Sequence, residues 1–329
     1  MEPSTDWSEQ VDPDEGDRYA EAGKQIAAIQ TKNDKKFGPG RAFHRKQILG
    51  LHASFEVFDG VPPFAHHGLF ARPGTYETLV RLSNGGFGVA SDVIPDVRGF
   101  ACSIRGVMGD GALDRKTDRQ DFLFLNRPTF GFVNSSDFFA IVAASSGGQP
   151  AILRALIDRH GPVGGPLEAA KLAKEALRPF TGFTTTRFFS VNPISCGPYA
   201  IKLRLLPAST DKRVTGAKDW ARDVVEHLEQ GPLDFDFQIQ GYADEVGTPI
   251  EDGTVEWTED VSPFVTVARL TVPQQDPDST KGTKLGERIE NETFDPWHGL
   301  IEHKPLGEIM RARKAEYYPS QQRRHATGT

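Results

Sequence analysis

Between Leu51 and Asn126 the chain repeats one pattern four times: a short stretch suited to a β-strand, followed by residues that turn the backbone. Leu51-His52-Ala53-Ser54-Phe55-Glu56-Val57 alternates with period two, the spacing that places every second side chain on one face of a strand. Asp59-Gly60-Val61-Pro62-Pro63 and then Arg72-Pro73-Gly74 supply turn chemistry before a second strand at Thr78–Ser83. Further strands are predicted at Arg98–Ile104 and Asp121–Asn126, flanking a Gly- and Asp-rich loop over 106–118. No helical period interrupts these segments, so they are expected to pair antiparallel. Four later segments, Thr184–Val191, Tyr199–Leu205, Asp234–Gln240 and Phe264–Leu270, bring the strand candidates to eight, enough to close a barrel filled by side chains.

Helices are predicted around these strands. Asp17 to Asn33 carries Tyr19, Ala22, Ile26 and Ile29 at helical spacing, with Gly23 weakening the pattern. Ser135–Ser146, Pro150–Arg159, Pro166–Leu177, Ala217–Gln230 and Glu308–Tyr318 follow. The expectation is an α+β chain forming one domain over residues 1–329, with acidic residues 1–16 as a loose arm. The 22 Phe against 6 Tyr and 4 Trp mean that most aromatic surface has no polar handle, which suits a dry core or an apolar pocket. A net charge of -7 argues against a nucleic-acid or anionic-membrane surface, leaving small molecules as the expected partners. Only Cys102 and Cys196 are present, which fits a reducing compartment and gives no thiolate-rich metal site. The start, Met1-Glu2-Pro3-Ser4-Thr5-Asp6-Trp7, has no signal-peptide pattern. A cytoplasmic location is expected, and whether the chain forms a homo-oligomer stays open.

Five motifs carry the chemistry. They are Arg41-Ala42-Phe43-His44-Arg45-Lys46, Val80-Arg81-Leu82-Ser83-Asn84, Asp96-Val97-Arg98-Gly99-Phe100-Ala101, Phe122-Leu123-Phe124-Leu125-Asn126-Arg127-Pro128-Thr129-Phe130 and Arg311-Ala312-Arg313-Lys314-Ala315-Glu316-Tyr317. Together, in this order, they resemble the haem catalase family, particularly its short catalase-like peroxidase branch. The resemblance implies a catalase-type antiparallel β-barrel with helices packed around it. It also implies haem, of the b type, held between the barrel and the C-terminal helix.

On the distal side of that haem the resemblance places a histidine and an asparagine at His44 and Asn126. A peroxide must lose a proton from one oxygen and gain one at the other before its O–O bond breaks, and a neutral imidazole can do both. Asn126 can hydrogen-bond the peroxide without adding charge. His52 is the rival base, but it lacks the flanking Arg41 and Lys46 of the family pattern. Ser83 matches the family serine that fixes the histidine tautomer, and Phe130 and Phe138 match phenylalanines of the pocket wall. Arg41 and Arg81 take the haem propionates, a role suited to the guanidinium fork.

On the proximal side Tyr317 is the implied axial ligand, a tyrosinate. Arg313 shares its helix face at i, i+4 and would favour the ionised phenolate. Tyr318 is the rival, lying off the Arg313 face, and Pro319 is expected to end or kink the helix just beyond. His66-His67 is set aside as a metal pair because adjacent residues on an extended chain point apart. Asn84-Gly85-Gly86-Phe87-Gly88 lacks the Gly-Lys-Ser/Thr of a phosphate cradle, and Trp297-His298 reads as a packing corner.

The implied activity is a haem-dependent peroxidase that reduces hydrogen peroxide or organic hydroperoxides with a small organic electron donor. Disproportionation of hydrogen peroxide, as in catalase, is the first alternative. Peroxidase ranks above it because full-length catalases carry extra wrapping segments that restrict the pocket. Rearrangement of fatty-acid hydroperoxides, as in allene oxide synthase relatives, is another alternative; those relatives have Thr where this chain has Phe43. Haem binding or storage without catalysis is the non-enzyme alternative.

Overall fold

All eight strand segments form strands, and they close into a barrel. In the computed structural model, which describes residues 2–209 and 219–327, β1 (Gln47–Val57), β2 (Gly74–Asn84), β3 (Arg98–Asp110) and β4 (Lys116–Leu125) make an antiparallel meander. The chain returns as β5 (Phe188–Phe189), β6 (Ile194–Cys196), β7 (Tyr199–Pro207), β8 (Leu233–Gly241) and β9 (Val265–Val272). Strand β9 pairs back onto β1 through Phe55 and Leu270. Short β5 bridges β4, at Leu125 and Phe189, to β7, at Phe188 and Leu205, so eight antiparallel strands form a closed ring with β6 added outside it on β7.

The interior explains the excess of phenylalanine. Phe55, Phe100, Phe122, Phe124, Phe188, Phe235 and Phe237 are buried in one apolar core. Their rings meet largely edge-on or tilted, Phe55 with Phe237 at 5.0 Å and Phe100 with Phe235 at 5.2 Å, the geometry that the aromatic quadrupole favours. A tyrosine at these positions would bring a hydroxyl needing a partner into a space that offers none.

The predicted strand Thr184–Val191 shrinks to two residues. Its first half is a turn, with Thr186 N–H on Gly182 O and the Thr185 hydroxyl on Thr181 O, the local bonding by which threonine competes with a ladder. Pro150–Arg159 and Pro166–Leu177 belong to one helical stretch, α3 (Gly148–Ala176), broken at Gly161, whose φ of +77° only glycine adopts easily. Before it lie α1 (Glu15–Phe37) and α2 (Ser135–Ala144). The helix predicted over Ala217–Gln230 is α4 (Trp220–Leu228), capped by the Asp219 carboxylate on Arg222 N–H; Ala217 and Lys218 fall outside the described residues. Helix α5 (Thr280–Asn291) has no counterpart in the sequence reading.

The C-terminal helix, α6 (Glu308–Arg323), runs through Pro319 rather than ending there. Contacts just beyond the proline hold it: Gln30 Nε2 donates to Ser320 O (3.2 Å), Gln321 Nε2 to Asp295 Oδ2 (2.8 Å), and Arg324 Nη2 to Glu292 O (2.8 Å). Tertiary bonds here outweigh a local penalty of about 3 kcal/mol for an interior proline. Helices α1, α2 and α6 share a small core of Tyr19, Ala22, Ile26, Phe139 and Ala312, which also takes in Ala42. The N-terminal arm is tied down rather than loose. Ser4 N–H donates to Tyr242 O, Trp7 Nε1 to Pro198 O, and Glu9 pairs with Arg311 at 2.7 Å. Among the described residues no helix is long and apolar enough to cross a membrane.

Candidate active site

His44 lies on the segment leading into β1, and its backbone sits at φ +51°, a left-handed conformation that costs a non-glycine residue free energy. The surroundings impose it. His44 N–H donates to Gly85 O at 3.1 Å, and the His44 carbonyl accepts from Arg81 Nη2 at 2.9 Å. The Gly-rich loop set aside in the sequence therefore has a use, since it grips the backbone around this histidine. The ring Nδ1 is 3.0 Å from Ser83 Oγ on β2. Gly99 on β3 makes room for the pair, because a Cβ there would stand 2.6 Å from His44 Nδ1 and 2.7 Å from Ser83 Oγ. Burial, followed by the charges of Arg81, Arg313 and Arg41, pushes the His44 pKa down to about 3, so the ring is neutral at physiological pH.

Asn126 follows β4 and faces the same stretch of β3. Its Oδ1 accepts from Arg98 N–H at 2.8 Å, and its own N–H donates to Arg98 O at 3.1 Å. Arg98 precedes the Gly99 that lies against His44, so the two side chains flank one point of the sheet. Asn126 Nδ2 is buried without a hydrogen-bond partner. An orphaned amide donor costs about 1–3 kcal/mol, and such a group in a native fold calls for an explanation.

Beside His44 stands a wall of half-buried phenylalanines. Phe43 packs on Phe87 at 4.9 Å and on Phe138 at 5.5 Å; Phe138 meets Phe130 at 5.1 Å and Phe132 at 5.5 Å. Phe130 and Phe138 were expected here, while Phe87 and Phe132 were not singled out from the sequence.

Arg41 and Arg81 converge, but on a carboxylate that the sequence reading missed. Arg41 Nη1 bonds Glu290 Oε1 at 2.7 Å and Arg81 Nε bonds Glu290 Oε2 at 2.9 Å. Arg324 Nη1 reaches the Glu290 carbonyl at 3.2 Å. Burial, and then the charge of Arg81, lowers the Arg41 pKa well below its ordinary range. Burial also pushes Arg324 down to about 10. Arg41 and Arg81 thus share the carboxylate of Glu290, while Arg324 beside them donates to the backbone carbonyls of Glu290, Asn291 and Glu292, so positive charge gathers here faster than Glu290 offsets it.

On α6, Arg313 Nη2 donates to Tyr317 Oη at 2.7 Å, with the guanidinium 5.1 Å from the ring centre, as the i, i+4 spacing requires. Tyr317 is half-buried, whereas Tyr318 is 59% exposed. Ala42 and Ala312 share one buried cluster against which Phe43 packs, so α6 and the His44 segment lie side by side. His52 takes no part: it is exposed on β1, 3.9 Å from Glu77. His66 is exposed as well, and among the described residues no group of three metal-ligating side chains forms. Trp297 is a buried corner whose Nε1 donates to Met310 O at 2.8 Å.

No family model matches the sequence, and no curated protein does. Solved structures match the fold. A fungal catalase has a TM-score of 0.67 at 16% identity, covering 87% of this chain and 59% of its own. A bacterial catalase gives 0.66 at 17% identity, covering 92% and 61%. Catalase A from Saccharomyces cerevisiae gives 0.61 at 16% identity, covering 88% and 62%. The chain thus spans about three fifths of the length of these catalases, and it has the catalase fold.

Proposed function

We propose that this protein is a haem-dependent peroxidase acting on hydrogen peroxide or organic hydroperoxides with a small organic electron donor, in the cytoplasm. The observation that carries this reading is the orphaned Asn126 Nδ2 beside the His44–Ser83 pair. A site that offers a neutral base and an unspent amide donor suits a small polar ligand with an adjacent acceptor and proton, and mere binding of a cofactor needs neither.

The residues present fit haem. Tyr317 would ligate the metal, with Arg313 holding its oxygen in the ionised form. Arg41 and Arg81, which share one carboxylate, and the neighbouring Arg324 would pair with the haem propionates. Bound haem would supply an iron centre able to exchange electrons with peroxide. His44 then acts as the proton carrier: its Nδ1 is engaged by the Ser83 hydroxyl, which leaves Nε2 to take a proton from one peroxide oxygen and return it to the other. Asn126 Nδ2 orients the peroxide. Anions beside Arg41 and Arg81 would also offset the charges that depress the His44 pKa, making it a better base than it is alone. The Phe43, Phe87, Phe138 and Phe130 wall favours hydroperoxides with an apolar substituent, which ranks peroxidase above catalase.

The test is reconstitution. Haemin added to the purified protein is expected to give the absorption bands of tyrosinate-ligated ferric haem, and Tyr317→Phe is expected to lose them while Tyr318→Phe keeps them. Donor oxidation with an alkyl hydroperoxide should exceed oxygen evolution from hydrogen peroxide. Absence of haem uptake by the folded protein would sink the proposal, and dominant oxygen evolution would return it to catalase.

A further inference from the structure

On strand β7, Ile201, Leu203 and Leu205 belong to the barrel core, so Lys202 and Arg204 fall on the outer face, where the segment 255–264 covers them. The two cations fare differently there. Arg204 is well paired: its Nε donates to Gln238 Oε1 at 2.8 Å, its Nη1 to Glu259 Oε1 at 2.6 Å, and its guanidinium lies 3.7 Å from the centre of the Phe264 ring. Lys202 is only 5% exposed, yet its Nζ has one long hydrogen bond, 3.4 Å to Val255 O, and lies 4.9 Å from the centre of the Trp257 ring. Among the described residues no carboxylate pairs with it, and Asp252 and Glu256 act on it only from beyond ion-pair distance.

The amine also borders open space. Lys202 lines a cavity of about 70 Å³ together with Phe189, Trp257 and Phe264, and the exposed lining residues Arg187, Glu256 and Glu259 put one side of it in contact with water. At about 10–15 Å³ per water-sized group, this space holds roughly five non-hydrogen atoms. A lysine ammonium buried without a counter-charge is costly, and the group responds by giving up its proton. Burial is the largest cause here, outweighing Asp252 and Glu256, and it holds the Lys202 pKa down to about 7. About half of the Lys202 amines are then neutral at pH 7, against about one in 2,500 for an ordinary lysine. A neutral amine is a nucleophile, and desolvation in an apolar pocket is one of the ways in which proteins make one from lysine.

We propose that Lys202 captures a small aldehyde, of about three or four carbons, in this cavity as a covalent imine. The neutral Nζ attacks the carbonyl carbon and a C–N bond forms. The carbonyl oxygen then leaves with the two amine hydrogens as water, so a C=N bond replaces C=O and nothing is oxidised or reduced. An aldehyde fits this space better than a ketone because its carbonyl carbon carries one chain rather than two. Phe189, Trp257 and Phe264 receive that chain, and the open side takes the released water. The capture requires neither metal nor haem, and it stands whether or not the peroxidase reading holds.

The test treats the full chain at pH 7 with butanal and sodium cyanoborohydride, which reduces an imine to a stable secondary amine, and maps the labelled lysines by mass spectrometry. Lys202 is expected to be labelled at least tenfold faster than the exposed Lys116 and Lys171, at a rate that saturates as butanal is raised. The ratio of the two rates should shrink between pH 7 and 9, because the exposed amines deprotonate there while Lys202 has little left to gain. Lys202→Met should lose the saturable phase and keep the slow surface labelling, and mapping of the unaltered chain decides the matter even if that variant does not fold. Labelling of Lys202 no faster than that of Lys116 and Lys171, or a rate strictly proportional to butanal, overturns the site.

Discussion

The barrel interior and the flank beside His44 are both rich in phenylalanine, yet they are built to opposite ends. Inside the barrel, Phe237 is fully buried and meets Phe55, Phe70, Phe122 and Phe124 within 6 Å, with no polar atom to satisfy. Beside His44 the rings are half-buried, and the adjoining groups include a strained histidine, an orphaned amide and a cluster of arginines. The first region maximises apolar burial. The second gives up stability in several places at once, which is the signature of a site kept for chemistry. If this contrast is right, substitutions should separate cleanly: the interior should move stability, and the flank should move turnover.

The largest effect on stability is expected for Phe237→Ala. Removing a fully buried ring from a packed core costs about 3–5 kcal/mol, so the denaturant midpoint should fall steeply. Haem affinity, measured where the variant is folded, should stay near wild type. His44→Ala is the matching test on the flank. It removes the base but keeps a Cβ in the same left-handed backbone, so stability should change little while haem is retained, and peroxide turnover should drop by about 10²–10⁴-fold. A variant with intact turnover would remove His44 from the chemistry and erase the contrast.

A pH titration of the metal-free protein sharpens the same division. His44, His298 and His303 have pKa values pushed down to about 3, about 3 and about 4, burial being the largest cause in each. Below about pH 6.5 the unfolded chain takes up protons that these folded rings refuse, so their contribution is fully present above that value and is lost as pH falls toward the folded values. Each histidine contributes a slope of up to about 1.4 kcal/mol per pH unit. Asp121 and Glu316, raised by burial to about 6 and about 8, act in the opposite sense because the folded state keeps their protons longer. His44→Gln should therefore flatten the acid limb of the stability curve by up to about 1.4 kcal/mol per unit. Denaturation series between pH 4 and 6.5 measure this directly, and an unchanged slope would mean that neither burial nor the arginines lower the pKa of the folded ring.

The same contrast explains what could be read from the sequence. Barrel strands are local objects: period-two alternation and turn residues lie within a few positions of one another, and all eight were legible. The Arg313–Tyr317 pair is local too, being four residues apart on one helix. Glu290 was not legible, because it meets Arg81 and Arg41 across 209 and 249 residues and nothing around it in sequence announces them. Its helix, α5, shows only Leu285 and Ile289 as buried-side apolar residues, with Gly282 and Gly286 diluting the pattern. Arg324 lay hidden behind Pro319, where the local rule predicted a break that long-range bonds to α1 and to segment 292–295 override. The Gly-rich loop was dismissed by a motif test for phosphate, although its role is to hold the backbone of His44.

The smallest expected effect is also the most specific. Phe43 precedes His44 and touches Phe87 and Phe138, but it is half-buried and contributes little to the fold, so Phe43→Ala should cost about 1 kcal/mol. Its consequence for substrate choice depends on which side of the contrast it belongs to. As part of the core its loss would slow all peroxides alike, through stability. As a wall of the pocket it would act selectively: the space left by the ring admits a bulkier substituent, while hydrogen peroxide, too small to need that space, gains nothing. A difference of roughly tenfold between a bulky alkyl hydroperoxide and hydrogen peroxide is expected, in line with the few kcal/mol that changes in an apolar pocket supply. The ratio of the two kcat/KM values, compared between wild type and variant, decides it; equal changes for both peroxides would place Phe43 with the barrel rings rather than with the site.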